Sequence, residues 1–331
     1  MKNLFIYIIM AFVITALVSC EDSISPKGSV PDKYGVNLIL RGDTTLQTAY
    51  IEKVYNVDGY DPYTLSEDPF VEGAIITINY TDSQTLYTFR DTTDETQLNE
   101  RYNTPARYYY LKNFRPQYGK EVEMNITFPD GSTASSVTTV PEGIAFDEVH
   151  STSYVPGSVR TSDSTYIEVI WTNSSLEKLK ARTVTLVYYH KEESGELIKY
   201  TKPVPYSLES VTGSNTPLYT SVSIDNYFNI DKSLLKKTLE EISEGDPVKG
   251  RYQIAPLEIN IYLFDDYLTE YYQSSQYFEM GFTVRSNPAD ISNIENCYGY
   301  FAAFSFVQRK LKFDLTYLLD NFGYIKYTED D

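Results

Sequence analysis

Residues 122–139 read VEMNITF, then PDG at 129–131, then Ser132 and TASSVTT. Two short runs rich in β-branched residues flank Pro129-Asp130-Gly131. Proline and aspartate favour a turn there, and Gly131 can take the positive φ that a tight hairpin needs. The same type of run recurs on the N-terminal side, at Val36–Leu40, Thr48–Tyr55, Ala74–Tyr80, Leu86–Arg90 and Tyr108–Lys112. No helical periodicity separates these segments. Short strands punctuated by turn residues predict a β-sandwich over residues 34–143, with Val140-Pro141-Glu142-Gly143 at its end.

The β pattern continues beyond that boundary. Tyr166–Thr172 alternates isoleucine, valine and the only tryptophan, Trp171. Val184–His190 and Leu197–Lys202 flank Glu193-Ser194-Gly195, a second hairpin signal. Val222–Ile224, Leu257–Phe264 and Phe301–Leu311 read as further strands. Two helical stretches interrupt them. Asp231 to Ile242 spaces Leu234, Leu235, Leu239 and Ile242 helically behind an N-capping aspartate. Asp266 to Phe278 repeats aromatics at Tyr267, Tyr271 and Phe278. The expected fold class is therefore mainly β: two immunoglobulin- or fibronectin-like β-sandwich domains, at 34–143 and 144–311, with two short helices in the second. The aromatic tail at 312–331 is expected to be partly docked.

At the N-terminus, Leu4 to Val18 is almost unbroken apolar sequence behind Lys2. As a helix it would reach roughly 22 Å at about 1.5 Å per residue. That is short of a hydrocarbon core about 30 Å thick, so residues 1–19 read as a signal peptide core rather than a span. Leu17-Val18-Ser19-Cys20 resembles the lipobox of bacterial lipoproteins, and the resemblance implies lipidation of Cys20. Two or three acyl chains, at about 0.8 kcal/mol per buried methylene, give a stable anchor. Residues 20–33 hold two prolines and a glycine and read as a lipidated tether. Glu21 and Asp22 resemble the acidic export signals of surface-exposed lipoproteins, which favours a cell-surface position.

Net charge −18 repels nucleic acid and anionic headgroups. Two histidines, His150 and His190, and the two cysteines Cys20 and Cys297 leave little catalytic material. There is no His-Glu-x-x-His, no cysteine pair for zinc, no Gly-x-Ser-x-Gly and no glycine-rich phosphate loop, so no metal, cofactor or catalytic residue is expected. With Cys20 lipidated, Cys297 is expected buried and inert. His190, at a strand end, is expected as a solvated imidazole. Asp265-Asp266 is the one local carboxylate pair, readable as half of a hydrolytic site or as strand terminus plus helix cap. Asp58, Asp61, Glu67 and Asp68 share one loop that could collect calcium oxygens, although their order fits no calcium-loop pattern. Tyrosine is abundant, at 32 residues. In strands such as Tyr108-Tyr109-Tyr110 and Tyr188-Tyr189 alternate rings must face outwards, where tyrosine serves interfaces and sugar stacking, or simply fills an amphipathic strand.

The C-terminal region carries the most specific residues. Asn287-Pro288, then Ser292-Asn293-Ile294-Glu295-Asn296, Gly299-Tyr300-Phe301 and Phe304-Ser305 resemble the closing signature of a family of Bacteroidota lipoproteins classed as a domain of unknown function. Val71-Glu72-Gly73-Ala74, Tyr118-Gly119-Lys120, Pro129-Asp130-Gly131 and Thr139-Val140-Pro141 match that family's first domain. Cys297 departs from it, standing where small residues are usual. The resemblance implies an outer-membrane lipoprotein whose relatives are often encoded beside TonB-dependent receptors, and it supplies no catalytic residue. Asp43-Thr44-Thr45, Asp91-Thr92-Thr93 and Asp163-Ser164-Thr165 resemble this phylum's O-glycosylation acceptors, at Thr44, Thr92 and Ser164. The expected function is a non-catalytic accessory lipoprotein that binds a receptor of that type. The alternative is a stand-alone glycan- or substrate-binding surface lipoprotein, with a carboxylate-based hydrolase third. The closing strand's aromatics, Phe301 with Phe304 or Phe306, are expected in the second core.

Overall fold

The computed structural model describes residues 33–54, 69–99, 104–147, 155, 165–172, 174–211, 214–279 and 292–328. The chain is mainly β and sandwich-like. Its first half forms β1 (Lys33–Arg41), β2 (Gln47–Val54), β3 (Ile75–Tyr80), β4 (Tyr87–Thr88), β5 (Arg90–Asn99), β6 (Thr104–Leu111), β7 (Glu121–Thr127) and β8 (Thr133–Thr139). The second half follows with β9 (Ala145–Phe146), β10 (Tyr166–Thr172), β11 (Lys180–Lys191), β12 (Leu197–Pro203), β13 (Ser207–Val211), β14 (Ser214–Leu218), β15 (Thr220–Ser223) and β16 (Tyr227–Asp231). Helix α1 (Lys232–Glu241), β17 (Tyr252–Ile254), β18 (Leu257–Phe264), helix α2 (Asp266–Glu279), β19 (Tyr298–Leu311), helix α3 (Leu315–Phe322) and β20 (Ile325–Lys326) complete it.

One large sheet runs through both halves in the order β20-β17-β11-β18-β19-β1-β2-β6-β5, with β12 and β15 also on β11. The sheet β4-β3-β7-β8 packs on one face of it and closes the first core. Inward residues alternate along the strands, as period 2 demands: Ile76, Ile78 and Tyr80 on β3, Val122, Met124 and Ile126 on β7, Val36, Leu38 and Leu40 on β1. The 129–131 turn is the predicted hairpin, with Gly131 at φ +83° and the Asp130 carboxylate accepting from the Ser132 amide. The sheet β16-β10-β9 and helices α1 and α3 close the second core on the same face of the large sheet. Trp171 packs there 6.1 Å from Phe228. Lys180 is also fully buried in this half, and its ammonium donates to the Ile224 carbonyl at 2.8 Å.

Strand β19 joins the two halves. Its first half lies parallel to β1, with Leu38 opposite Phe301. Its second half lies antiparallel to β18, with Ile261 opposite Val307. Gly299, at φ +102°, lets it start, because a Cβ there would collide with the Val36 carbonyl. The expectation for Phe301 is therefore corrected. It is fully buried, but in the first core with Ile294, Cys297 and Ala303, because the parallel pairing with β1 carries it there. Phe304 lies on the opposite face of the sheet, edge-on to Tyr262. Cys297 is buried.

Both expected helices form, and Asp231 caps the first through the Ser233 amide. The tail does more than dock. Asp314 caps α3, Gly323 ends it at φ +73°, and β20 pairs parallel to β17, taking Phe313, Phe322 and Tyr324 into the second core. No helix of the described residues is long and apolar enough to cross a membrane.

Candidate functional site

Asp265 follows the last residue of β18 and is 1% exposed. One carboxylate oxygen accepts from the Leu268 amide at 2.8 Å, capping α2. The other accepts from the Thr138 hydroxyl of β8 at 2.6 Å and the Ala303 amide of β19 at 2.7 Å. Burial pushes its pKa up to about 6, while these three donors and Lys178 pull the other way. Asp266 turns out to solvent beside Lys178, at 3.3 Å. A two-carboxylate hydrolysis needs two available carboxyl groups facing one space, and here both oxygens of the buried member are already engaged by the fold. Asp265 ties β8, β19 and α2 together, so a strand terminus plus cap describes it. A cavity of about 280 Å³ is lined by both Asp265 and Asp266 together with Glu121, Thr138, Tyr267 and Glu270.

His190 is not the solvated imidazole expected. Its side chain is 18% exposed, with Nδ1 2.8 Å from Glu192 and Nε2 3.9 Å from Asp246. Tyr252 lies against its ring and donates its hydroxyl to Asp246 at 3.0 Å; burial first, then that carboxylate, push Tyr252 up to about 12. These groups tie the end of the β11–β12 hairpin to the segment before β17. Among the described residues no group of three His, Cys, Asp or Glu side chains is placed to hold a metal. The loop acids Asp58, Asp61, Glu67 and Asp68 lie outside the described residues, as do Cys20, His150 and Ser164. Thr44 sits half-exposed in the β1–β2 turn, accepting from the Leu46 amide. Thr92 falls within β5, and its side chain is outside the description.

The large sheet's other face is where tyrosine collects. Tyr109 points inward and is buried, donating to the Val71 carbonyl at 2.7 Å. Tyr108 and Tyr110 consequently point out. On the same outer face β2 presents Tyr50, opposite Asn37 of β1, and Asn37 is opposite Tyr300 of β19. The Tyr50 and Tyr108 rings are 6.1 Å apart, and Tyr271 of α2 lies 5.7 Å from Tyr300. Tyr108, Tyr50, Asn37, Tyr300 and Tyr271 thus form one transverse row over β6, β2, β1, β19 and α2. Tyr50 is 45% exposed and Tyr271 44%. Below the row, Leu268 packs with Phe264 and Ala302, so α2 covers only the β18–β19 side. Sequence reasoning found the Tyr108–Tyr110 triplet but not its partners. Tyr50, Asn37 and Tyr300 meet only through cross-strand register, which has no local signal.

Residues 26–310 match the family described as a domain of unknown function, DUF4249. No curated protein matches the chain. Among solved structures it is similar to the C-terminal globular domain of an oligosaccharyltransferase from Pyrococcus abyssi. The identity is 8% and the TM-score 0.24, over 70% of this chain and 46% of that one. That likeness is too slight to carry an argument.

Proposed function

The chain belongs to the DUF4249 family, and on that premise we propose that it is a non-catalytic binding protein tethered to the outer membrane through lipid on Cys20. Its partner, on the resemblance to Bacteroidota lipoproteins, is a TonB-dependent receptor or that receptor's cargo. The observation that carries the reading is the outer face of the large sheet, where exposed and half-exposed tyrosines stand in a row on rigid strands. Tyrosine there offers wide contact area with only two torsions to fix. Affinity purification of the tagged lipoprotein from its own membranes tests it. Recovery of a receptor barrel in fixed proportion supports the accessory role. A preparation free of partner that also binds no glycan removes the reading altogether.

A stand-alone glycan-binding role is the second reading, and the same tyrosine row favours it. Under either, Thr44, Thr92 and Ser164 are candidate O-glycosylation sites, and a cell-surface position follows from Glu21 and Asp22.

A further inference from the structure

We propose that the row Tyr108–Tyr50–Asn37–Tyr300–Tyr271 is a binding track for a neutral carbohydrate chain, laid across the strands on the outer face of the large sheet. The proposal rests on the binding role above and names its surface and its ligand.

Shape comes first. Four of the five residues stand on the adjacent strands β6, β2, β1 and β19. At about 4.8 Å between strands, the row from Tyr108 to Tyr300 is about 14 Å long. Tyr271 extends it from α2, its ring 5.7 Å from Tyr300. Along the strands the same-face neighbours are Tyr110 beside Tyr108, Thr48 and Glu52 beside Tyr50, Ile39 beside Asn37 and Ala302 beside Tyr300, so the row runs through the middle of a wider, partly aromatic face. A chain of sugar rings laid along it meets one side chain about every 4.8 Å.

Chemistry comes second. Two rings stand on either side of a planar amide along the row. A sugar ring presents C–H bonds on its faces and hydroxyls at its rim. The C–H faces suit the electron-rich faces of tyrosine. The hydroxyls suit Asn37, which both donates and accepts, and the phenolic oxygens. Single-stranded nucleic acid also stacks on such rows, but it requires a cationic groove for its phosphates. The row contains no cation, and the chain has net charge −18. Of the nearby cations, Arg41 pairs with Asp43 at 2.9 Å and Arg107 with Asp91 at 2.9 Å and Glu72 at 3.1 Å, while Arg90 opposite Tyr110 and Lys112, 5.1 Å over the Tyr110 ring, stand at one end of the row and form no continuous cationic groove along it. The carboxylate beside the row, Glu52, repels an anionic polymer and accepts from a hydroxyl. An uncharged polyol chain is the ligand all of this fits.

The test is affinity electrophoresis of the full-length lipoprotein, purified in detergent, through gels containing galactomannan, xyloglucan, laminarin or soluble starch. Retardation by at least one is expected. Tyr50→Ala and Tyr271→Ala, both near half exposure and so tolerated by the fold, should each weaken it about tenfold. Their melting temperatures should match the parent, and Tyr50→Phe should restore most of the binding. Retardation that both alanine variants retain overturns the track while leaving glycan binding intact. No retardation by any of the four overturns the carbohydrate assignment. If the protein then still brings down a receptor, the binding role survives without it; if it does not, both fall.

Discussion

Burial holds the Asp265 carboxyl at about 6, above its usual 3.8, so the folded state keeps that proton to a higher pH than the unfolded chain does. A raised carboxyl contributes stability that is complete below the unfolded value and is lost as pH rises through the folded one. Two pH units correspond to about 3 kcal/mol at most. The melting temperature of the wild type should therefore fall between pH 5 and pH 7.5 by more than that of Asp265→Asn, which has no proton to lose. Parallel slopes for the two would remove Asp265 from the pH response. The three donors on this carboxylate also predict that the variant is less stable than the wild type, by a gap that narrows as pH rises, because the new amide turns N–H groups toward the Leu268 and Ala303 amides or the Thr138 hydroxyl. Gly299 is the other residue whose identity is fixed by contact. Gly299→Ala combines a strained positive φ with a collision against the Val36 carbonyl, and should cost at least about 2–3 kcal/mol in chemical denaturation. A loss under 1 kcal/mol, on the order of an ordinary surface substitution, would mean β19 can start another way.

For elements, β19 makes the sharpest prediction. Removing the Phe301 ring should cost about 3–5 kcal/mol. The damage should appear in the first core, as faster amide exchange in β1 and β7, with β10 less affected. Equal loosening of β10 would put the ring's influence in the second core after all. Much of the element level was legible from local sequence. The strands around 129–131 and 193–195 announce themselves by β-branched runs and a glycine at the turn. Both expected helices show their apolar spacing, and Asp231 its cap. The helix at 315–322 was missed, because its residues read only as a docked aromatic tail, although Asp314 before it and Gly323 after it are its cap signals. What could not be read is pairing. Nothing near Val36 or Tyr300 says that β1 takes β19 as a parallel neighbour across more than two hundred residues. The Asp265 tie to Thr138 and the tyrosine row depend on the same long-range register.

Across the whole molecule, the anchor and the address are open to direct measurement. Cys20→Ala should abolish labelling by a fatty-acid analogue and leave residues 1–19 uncleaved at that site. A variant that still takes label would end the lipoprotein assignment. Protease shaving of intact cells should remove the protein if it stands on the outer surface. An intact mass equal to polypeptide plus lipid would leave Thr44, Thr92 and Ser164 unmodified. The shared strand has one more consequence, in time rather than in space. A chain is made from its N-terminus, and most chains can finish their first folding unit while later ones are still emerging. This one cannot. β1 keeps one edge unpaired, and the first core lacks Ile294, Phe301 and Ala303, until residues 292–304 have arrived. Until then the edge of β1 that β19 will take stays open, a form prone to sticking to its neighbours. A molecule cut short before that point is missing residues of both cores, so completeness of the late segment is a condition for completing either half.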